Sequence, residues 1–552
     1  MAFLLFPGRH LLNTAFQKKY LDKILSLSVG EMDIVGTSAL KKEDKVTEII
    51  FAVTSANQAN SRYNPVPFWA RVVAIDRFAR ALKDHFGVPY RIIGIPHYPP
   101  SDRYVEVLLK EIQENTYDRL NLTPKNTLVL CSTPPLIEAY NAHGFGVLPA
   151  EYDMVNKKFT AQSPVDMVRQ FSESEKGTLT AILDQASEAT VETWKDFPEI
   201  PETIRRIWRD PLLTESGSLT SERNYSTYAV GMGHTELINL KYKDIKDVVV
   251  SGKIVDEGCA DGALITQLAK DFPDSDIIGI EITSEFMARC LERQRAGEFG
   301  GTFVHFHQRN LFDSIFEDNS INSTICNSTT HEIWSYGEQL KSLSGYIEKK
   351  YKQLCPGGRL IIRDVVGPED KDKEVWLRAN NTDGNNEDIF KDFDSPQELG
   401  AHLAKLSTHA RFKRFAKDFL AEMRQSGRRD SDTEVLYKEE IVDNVSYFVL
   451  PLKHAVEFMS RKDYVDNWKS ELNEEFTFFS FKDWKKFLTK RGFNIIENPN
   501  QPTQSSRVYT NEWIVENRFK GKTDLFMKKG KKLLPLEYPP TNIVLIAEKP
   551  TS

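Results

Sequence analysis

The sequence predicts an α/β protein with two doubly wound, mainly parallel sheets, joined by a helical connector and interrupted once by a helical insertion. Three observations predict it. Short apolar β-rich runs alternate with amphipathic stretches from residue 1 to about 172. The same alternation restarts at 246. The 552 residues exceed a single domain, at about 100 to 200 residues each. Alternation of strand and helix is the pattern of βαβ units, which bury a parallel sheet between helices.

The first domain, 1–172, reads as strands at 3–6 (FLLF), 48–55 (EIIFAVTS), 90–96 (YRIIGIP) and 127–132 (TLVLCS). Residues 68–86 (FWARVVAIDRFARALKDHF) carry apolar side chains at helical spacing. Residues 173–245 contain helices and connectors with no strong strand, and are expected to form a connector or cap. The second domain, 246–552, begins VVVSGKIVDEG and continues through DSDIIGIEIT, TFVHFHQ, INSTICNS and GGRLIIRDVV. The pattern lapses over about 371–480, the expected helical insertion. It then returns at FKDWKKFLTKRGFNIIEN and closes with SSRVYTNEWIVENRF and PPTNIVLIAEK. No internal repeat of fixed period is present.

Hydrophobic residues make up 40% and charged residues 27%, which excludes a disordered chain. Lys plus Arg (72) against Asp plus Glu (79) leaves a net charge of −7, so the molecule as a whole is no polycation. The start, MAFLLFPGRH, lacks a basic leader region, and no stretch reaches the roughly 18 apolar residues of a membrane span. A cytoplasmic location away from membranes is expected. Cys131, Cys259, Cys290, Cys326 and Cys355 form neither a CxxC pair nor a zinc-like cluster, so reduced thiols and no metal site are expected.

The segment IVDEGCADGAL (254–264) sets an apolar strand before small residues at Gly258, Ala260 and Gly262, followed by a helix. Glycines let such a turn approach a ligand, and the helix N-terminus offers free N–H groups. The next strand ends in Glu281, an acidic side chain suited to accept ribose hydroxyls. A dinucleotide fingerprint would need G-x-G-x-x-G, which is absent here.

This segment resembles the first motif of the class I S-adenosylmethionine-dependent methyltransferases, a strand ending in an acidic residue followed by G-x-G-x-G, with Ala260 at the middle glycine. The resemblance extends to Asn310 and Leu311, to ICNSTTHEIWSY (325–336) as the fourth strand and its turn, and to LCPGGRLIIRDVV (354–366) as the fifth. It implies S-adenosyl-L-methionine as cofactor. Asp256 and the loop Gly258, Cys259, Ala260 and Gly262 would hold the methionine portion, and Glu281 the ribose. Asn310 and Leu311 would flank the adenine, and Asn327 would line the site. His331, Glu332 and Tyr336, with Arg363 and Asp364, are the candidates for positioning or proton transfer, or equally a helix start and a structural salt bridge. The acceptor stays open.

The opening FLLFPGRHLLNTAFQKKYLDKIL reads as strand, Gly-Arg turn and helix. It resembles the HIGH-type nucleotidyltransferases, in particular the nicotinamide-mononucleotide adenylyltransferases. Gly8 and Arg9 align with their first element, and Asn64 and Arg71 with their N-P-x-x-x-x-x-R segment. ATP with Mg²⁺ is the cofactor this likeness implies. Thr14 and Gln17 stand where the two histidines would, and Gln17 carries no positive charge for a transferring phosphoryl group. His10 could compensate only with a shifted loop, and Pro164 and Asp166 replace residues of the last motif.

Within 401–430, Lys405, Arg411, Lys413, Arg414, Lys417, Arg424, Arg428 and Arg429 face only Asp418, Glu422 and Asp430 in number. Such a helix either meets the phosphates of a nucleotide or other anionic small-molecule substrate, or is a solvated face. An RNA partner stays open without a stacking platform to support it. The reading is a methyltransferase with an N-terminal nucleotide-binding, degenerate adenylyltransferase-like domain. The alternatives are a bifunctional enzyme that also transfers a nucleotidyl group, and a nucleotide-sensing scaffold.

Overall fold

The structure, a computed structural model, describes residues 2–98, 101–174, 183–210, 235–313, 315–498 and 500–551. The chain forms two compact units, 1–218 and 219–552.

In the first unit, strands β1 (Ala2–Gly8), β2 (Val46–Val53), β3 (Tyr90–Gly94), β4 (Thr127–Leu130) and β5 (Gly146–Leu148) form one parallel sheet of order β3-β2-β1-β4-β5. Helices α1 (Ala15–Ser26), α2 (Phe68–Phe86), α3 (Tyr104–Asn115) and α4 (Pro134–Ala142) connect the strands. Leu4, Ile49, Phe51, Ile75 and Phe78 pack on one face of the sheet, and Leu5, Ile50, Val129, Ile112 and Tyr140 on the other. A hairpin, β6 (Tyr152–Asp153) with β7 (Lys158–Phe159), leads to α5 (Pro164–Glu173).

The expected connector is not a separate body within its described part. Helices α6 (Glu188–Asp196) and α7 (Glu199–Arg209) bury Trp194, Ile200 and Ile204 against Leu11, Val66, Met167 and Phe171 of the first unit. An amphipathic helix must cover its apolar stripe, and the exposed flank of α5 supplies the partner. Residues 175–182 and 211–234 of that connector lie outside the described residues.

The described part of the second unit begins with α8 (Thr235–Ile245), whose Tyr242 and Ile245 join the core of the sheet that follows. That sheet takes β8 (Lys253–Glu257), α9 (Ala263–Asp271), β9 (Asp276–Glu281), α10 (Ser284–Arg295), β10 (Val304–Gln308), β11 (Ile321–Asn327), α11 (Thr330–Tyr336), α12 (Leu340–Gln353) and β12 (Leu354–Val365). Its strand order is β10-β9-β8-β11-β12, all parallel.

The expected helical insertion contains strands as well: β13 (Glu374–Ala379), α13 (Pro396–Leu403), α14 (Thr408–Asp418), α15 (Ala421–Gln425), β14 (Lys438–Val442), β15 (Val445–Pro451), α16 (Leu452–Arg461) and α17 (Trp468–Leu472). After α18 (Phe481–Thr489) and the short strands β16 (Asn494–Ile495) and β17 (Arg507–Tyr509), the chain returns with β18 (Thr523–Lys529) and β19 (Lys532–Leu536). These complete a five-stranded antiparallel sheet of order β14-β15-β13-β18-β19. Trp376 pairs with Phe526 across it, a register that no local pattern announces. Phe412, Phe415, Phe419, Phe448 and Phe458 fill its core. Finally β20 (Asn542–Glu548) lies antiparallel beside β12, with β16 and β17 on its outer edge.

Among the described residues, no helix is long and apolar enough to cross a membrane.

Candidate functional site

The chain winds from β8 to β9 on one side and β11 lies on the other, so the sheet opens a crevice at the carboxyl end of β8. Asp256 sits there, paired in register with Gly279 and Ile325. It is buried, and its Oδ2 has no hydrogen-bond partner among the described residues. Burial, with Glu257 and Glu281 nearby, raises its pKa to about 7, against the opposing charge of Lys241.

The loop after β8 runs through left-handed backbone at Gly258 (φ 73°), Ala260 (φ 47°) and Gly262 (φ 79°). A Cβ on Gly258 would stand 2.6 Å from Thr329 Oγ1, so glycine is required there. Ala260 adopts the same region despite its Cβ. Its N–H donates to Glu281 Oε2 (3.0 Å), and the Thr283 N–H donates to Oε1 (2.8 Å). Burial lifts the Glu281 pKa to about 7, these hydrogen bonds hold it down in part, and Glu332 raises it further. Cys259 and Cys290 are buried behind the loop, where the Cys290 thiol donates to the Ala260 carbonyl (3.1 Å). Asn310 is buried after β10, with Oδ1 accepting from Phe312 N (3.0 Å), and Leu311 packs on the neighbouring core. Asn327 ends β11, its Oδ1 accepting from Ser328 Oγ (3.3 Å).

Across the crevice, His331 Nδ1 lies 2.6 Å from Asp364 Oδ1, and Nε2 lies 3.3 Å from Glu474 Oε2. Burial alone would lower the His331 pKa; the two facing carboxylates outweigh it and hold it well above its usual value. Burial likewise opposes ionisation of Asp364, but His331 and hydrogen bonds from Thr330 bring its pKa below the usual value. With both nitrogens engaged by carboxylates, the imidazole is arranged to hold a proton rather than to accept one. The Tyr336 hydroxyl lies 3.2 Å from Glu474 Oε1 and 3.4 Å from the Ser470 carbonyl, with one proton to share between the two acceptors. Lys241 on α8 ties the two halves together electrostatically: burial and Arg363 lower its pKa to about 8, while Asp364, Asp256 and Glu332 raise it. Arg363 itself is latched to Asp244 (3.2 Å) and Tyr509 (3.1 Å).

Three residues of this neighbourhood carry no local motif. Lys241 lies in the segment that reads as connector, and Glu474 in the one that reads as insertion. Glu257, one position past Asp256, points the other way into a buried pair with Lys350 and Tyr346.

Glu474 is positioned by a buried anchor. Glu457 on α16 pairs with Arg461 and accepts from Phe476 N (3.0 Å), Thr477 N (2.8 Å) and Thr477 Oγ1 (2.7 Å), which fixes the segment just after Glu474. Arg429 donates to the Ser335 carbonyl (3.0 Å) and Trp334 Nε1 donates to Glu475 (2.8 Å), joining that segment to α11.

The basic run of 401–430 does not form a charged face. Arg414 is buried against Asp418 (2.6 Å), Arg411 donates to the Leu406 and Lys462 carbonyls, Lys413 pairs with Glu439 (2.9 Å), and Arg424 donates to the Phe419 carbonyl. Lys405, Lys417 and Arg428 are exposed, with Lys417 donating to the Phe390 carbonyl (3.3 Å) and Arg428 to Ser426 Oγ (3.0 Å). Arginine's fork suits such carbonyl latching, and a residue count cannot tell it from a phosphate site.

In the first unit, Gly8 ends β1, and Arg9 after it donates from Nη1 to the Tyr63 carbonyl (2.7 Å). Thr14 and Gln17 form a capping box at the start of α1. Gln17 Nε2 donates to Glu151 (2.8 Å). Arg71 is buried, with its guanidinium on the carbonyls of Arg9 (2.9 Å), Thr54 (2.8 Å) and Ser55 (2.9 Å). Asn64 Nδ2 donates to Gln58 (3.2 Å). His10 is buried beside the Phe6 carbonyl (3.1 Å), and burial lowers its pKa to about 4. It is neutral at physiological pH.

No curated protein matches the chain. Among solved structures it is similar to a putative methyltransferase from Bacillus halodurans (12% identity, 56% of this chain and 98% of that one, TM-score 0.27). It is also similar to a putative O-methyltransferase from Nostoc punctiforme (10%, 59% and 60%, TM-score 0.30). A third is geranyl diphosphate C-methyltransferase from Streptomyces coelicolor, solved with Mg²⁺, geranyl diphosphate and S-adenosyl-L-homocysteine (11%, 61% and 89%, TM-score 0.28). At these TM-scores the likenesses support no assignment. Residues 250–418, from the approach to β8 through α14, match the family model of the methyltransferase domain, and the second unit carries such a domain.

Proposed function

We propose that the second unit transfers a methyl group from S-adenosyl-L-methionine to an acceptor bound beside α11. The observation that carries this reading is the buried, unpartnered Oδ2 of Asp256 next to a loop held in left-handed backbone, with Glu281 ending the neighbouring strand. An acceptor oxygen buried without a donor is costly unless a ligand satisfies it. The amino group of the methionine portion is such a donor, and Glu281 would take the ribose hydroxyls. Asn310, Leu311 and Asn327 line the remaining approach, as the sequence resemblance implies. When bound, the cofactor supplies an electrophilic methyl group on a sulfonium. The residues of this chain orient donor and acceptor and exclude water, the two contributions that methyl transfer needs most. Lys241, Glu332 and the His331–Asp364 pair bound the acceptor side, where proton removal would fall to a carboxylate rather than to the doubly engaged imidazole.

Calorimetric titration of S-adenosylhomocysteine into the full chain tests this. Wild type is expected to bind, with affinity at least tenfold weaker in Asp256→Asn and Glu281→Gln; absence of binding to wild type would sink the assignment.

For the first unit, the same kind of accounting favours a nucleotidyltransferase-like framework without adenylyl transfer. Thr14, Gln17 and Arg71 are engaged in cap and carbonyl contacts, and His10 is neutral. Arg9 and Arg71, the two cations that the motif nominates, are held on backbone carbonyls with no carboxylate partner among the described residues, so they are what an ATP phosphate would meet.

A further inference from the structure

We propose that His331 Nε2 and the carboxylates of Glu332 and Glu474 form a divalent-cation site on the acceptor side of the crevice. One ligand atom from each of the three lies within 4.8 Å of the others. Metal–ligand bonds of about 2.0 to 2.2 Å place neighbouring ligands roughly 3 Å apart and opposite ones roughly 4 Å apart. The 3.3 Å between His331 Nε2 and Glu474 Oε2 already has the neighbouring spacing.

The support around these atoms is what a metal site requires. Asp364 holds His331 Nδ1 at 2.6 Å, which fixes the ring, and an ion entering between Nε2 and Glu474 Oε2 takes the place of the proton that the two share without it. Tyr336 holds the other oxygen of Glu474 at 3.2 Å, and the Glu457 anchor fixes the segment that follows it. Asp364, Glu332 and Glu474 surround this imidazole with Lys241 as the opposing cation near the first two, so displacing the imidazole proton leaves a negative balance that a dication neutralises. One imidazole with two carboxylates suits Mn²⁺ or Zn²⁺ better than Ca²⁺. Three protein ligands leave coordination positions open, the arrangement of a catalytic rather than a structural ion. The open positions select an acceptor bearing an anionic or chelating oxygen, a consequence that rests on the methyl-transfer reading above. Only the pairing of residues 331 and 332 with 474, across the insertion, creates the site.

The experiment is titration of MnCl₂ into the chelator-stripped full chain, followed by the electron paramagnetic resonance signal of free Mn²⁺ and repeated with ZnCl₂ by calorimetry. One ion per chain is expected, bound at least tenfold more weakly by Glu332→Gln and by Glu474→Gln. Failure of wild type to bind either ion overturns the proposal, as does binding unchanged in both variants. If circular dichroism shows that Glu474→Gln does not fold, Glu332→Gln decides, because that side chain is only half-buried. The same samples are titrated with S-adenosylhomocysteine: ion binding without cofactor binding upholds the metal site and removes the methyl-transfer reading, and the converse removes the metal site alone.

Discussion

Burial raises the pKa values of Asp256 and Glu281 to about 7. At Asp256, Glu257 and Glu281 add to it and Lys241 opposes it; at Glu281, hydrogen bonds from Thr283 and Ala260 oppose it and Glu332 adds to it. In the unfolded chain both carboxyls titrate near 4. Between those values the folded state holds more protons than the unfolded state, so these two groups make stability fall as pH rises from about 4 to about 7. Asp256→Asn removes one of them. Urea unfolding between pH 5 and 7 without ligand should then show a slope against pH shallower than wild type by about 1.4 kcal/mol per unit. An unchanged slope would mean that Asp256 ionises normally in the fold. Ala260 stands where the motif that this loop resembles carries a glycine. Its left-handed backbone is held by the hydrogen bond to Glu281, which offsets an αL cost of about 1 to 2 kcal/mol.

At the scale of elements, one polar pair can read as chemistry in the sequence and as architecture in the fold. Thr14 and Gln17 stand where the sequence resemblance would put two histidines, yet each bonds to the other's backbone N–H at the start of α1. Thr14→Ala should therefore lower unfolding free energy by about 1 kcal/mol, read from the urea midpoint. Wild type should release no pyrophosphate from ATP and nicotinamide mononucleotide; release above background would restore adenylyl transfer to the first unit. The strands themselves were legible. β1 to β4, α2, and β8 to β12 lie where apolar runs and helical spacing place them, because a buried parallel strand needs a continuous apolar run. The strand β5 was not, because three residues are too few to show a pattern, and neither was the sheet built from β13 to β15 with β18 and β19, where Trp376 meets Phe526 from far along the chain.

For the whole molecule, the boundary of the second unit is the consequential difference. A domain starting at 246 would omit α8, with buried Tyr242 and Ile245, the Asp244 latch on Arg363, and Lys241. Burial of Ile245 alone contributes about 2 kcal/mol. A fragment 219–552 should fold and bind S-adenosylhomocysteine like the full chain, whereas 246–552 should unfold at a lower temperature in differential scanning fluorimetry. Equal melting of the two would show that α8 is dispensable.

By itself the sequence determined the two α/β units, the order of their parallel strands' elements, and the loop from Asp256 to Gly262 with Glu281. All of these are written in contiguous residues, where strand, turn and helix follow within a few positions. Only the tertiary structure decided which charged side chains act as latches and which meet at the crevice. It assigned Arg411, Arg414 and Arg429 to carbonyl and carboxylate contacts within the insertion and α11. It also brought Glu474 and Lys241 to His331 and Glu332. The reason is physical: a charge close to the site changes its pKa values and ligand set through distance in space, and distance along the chain carries no record of it.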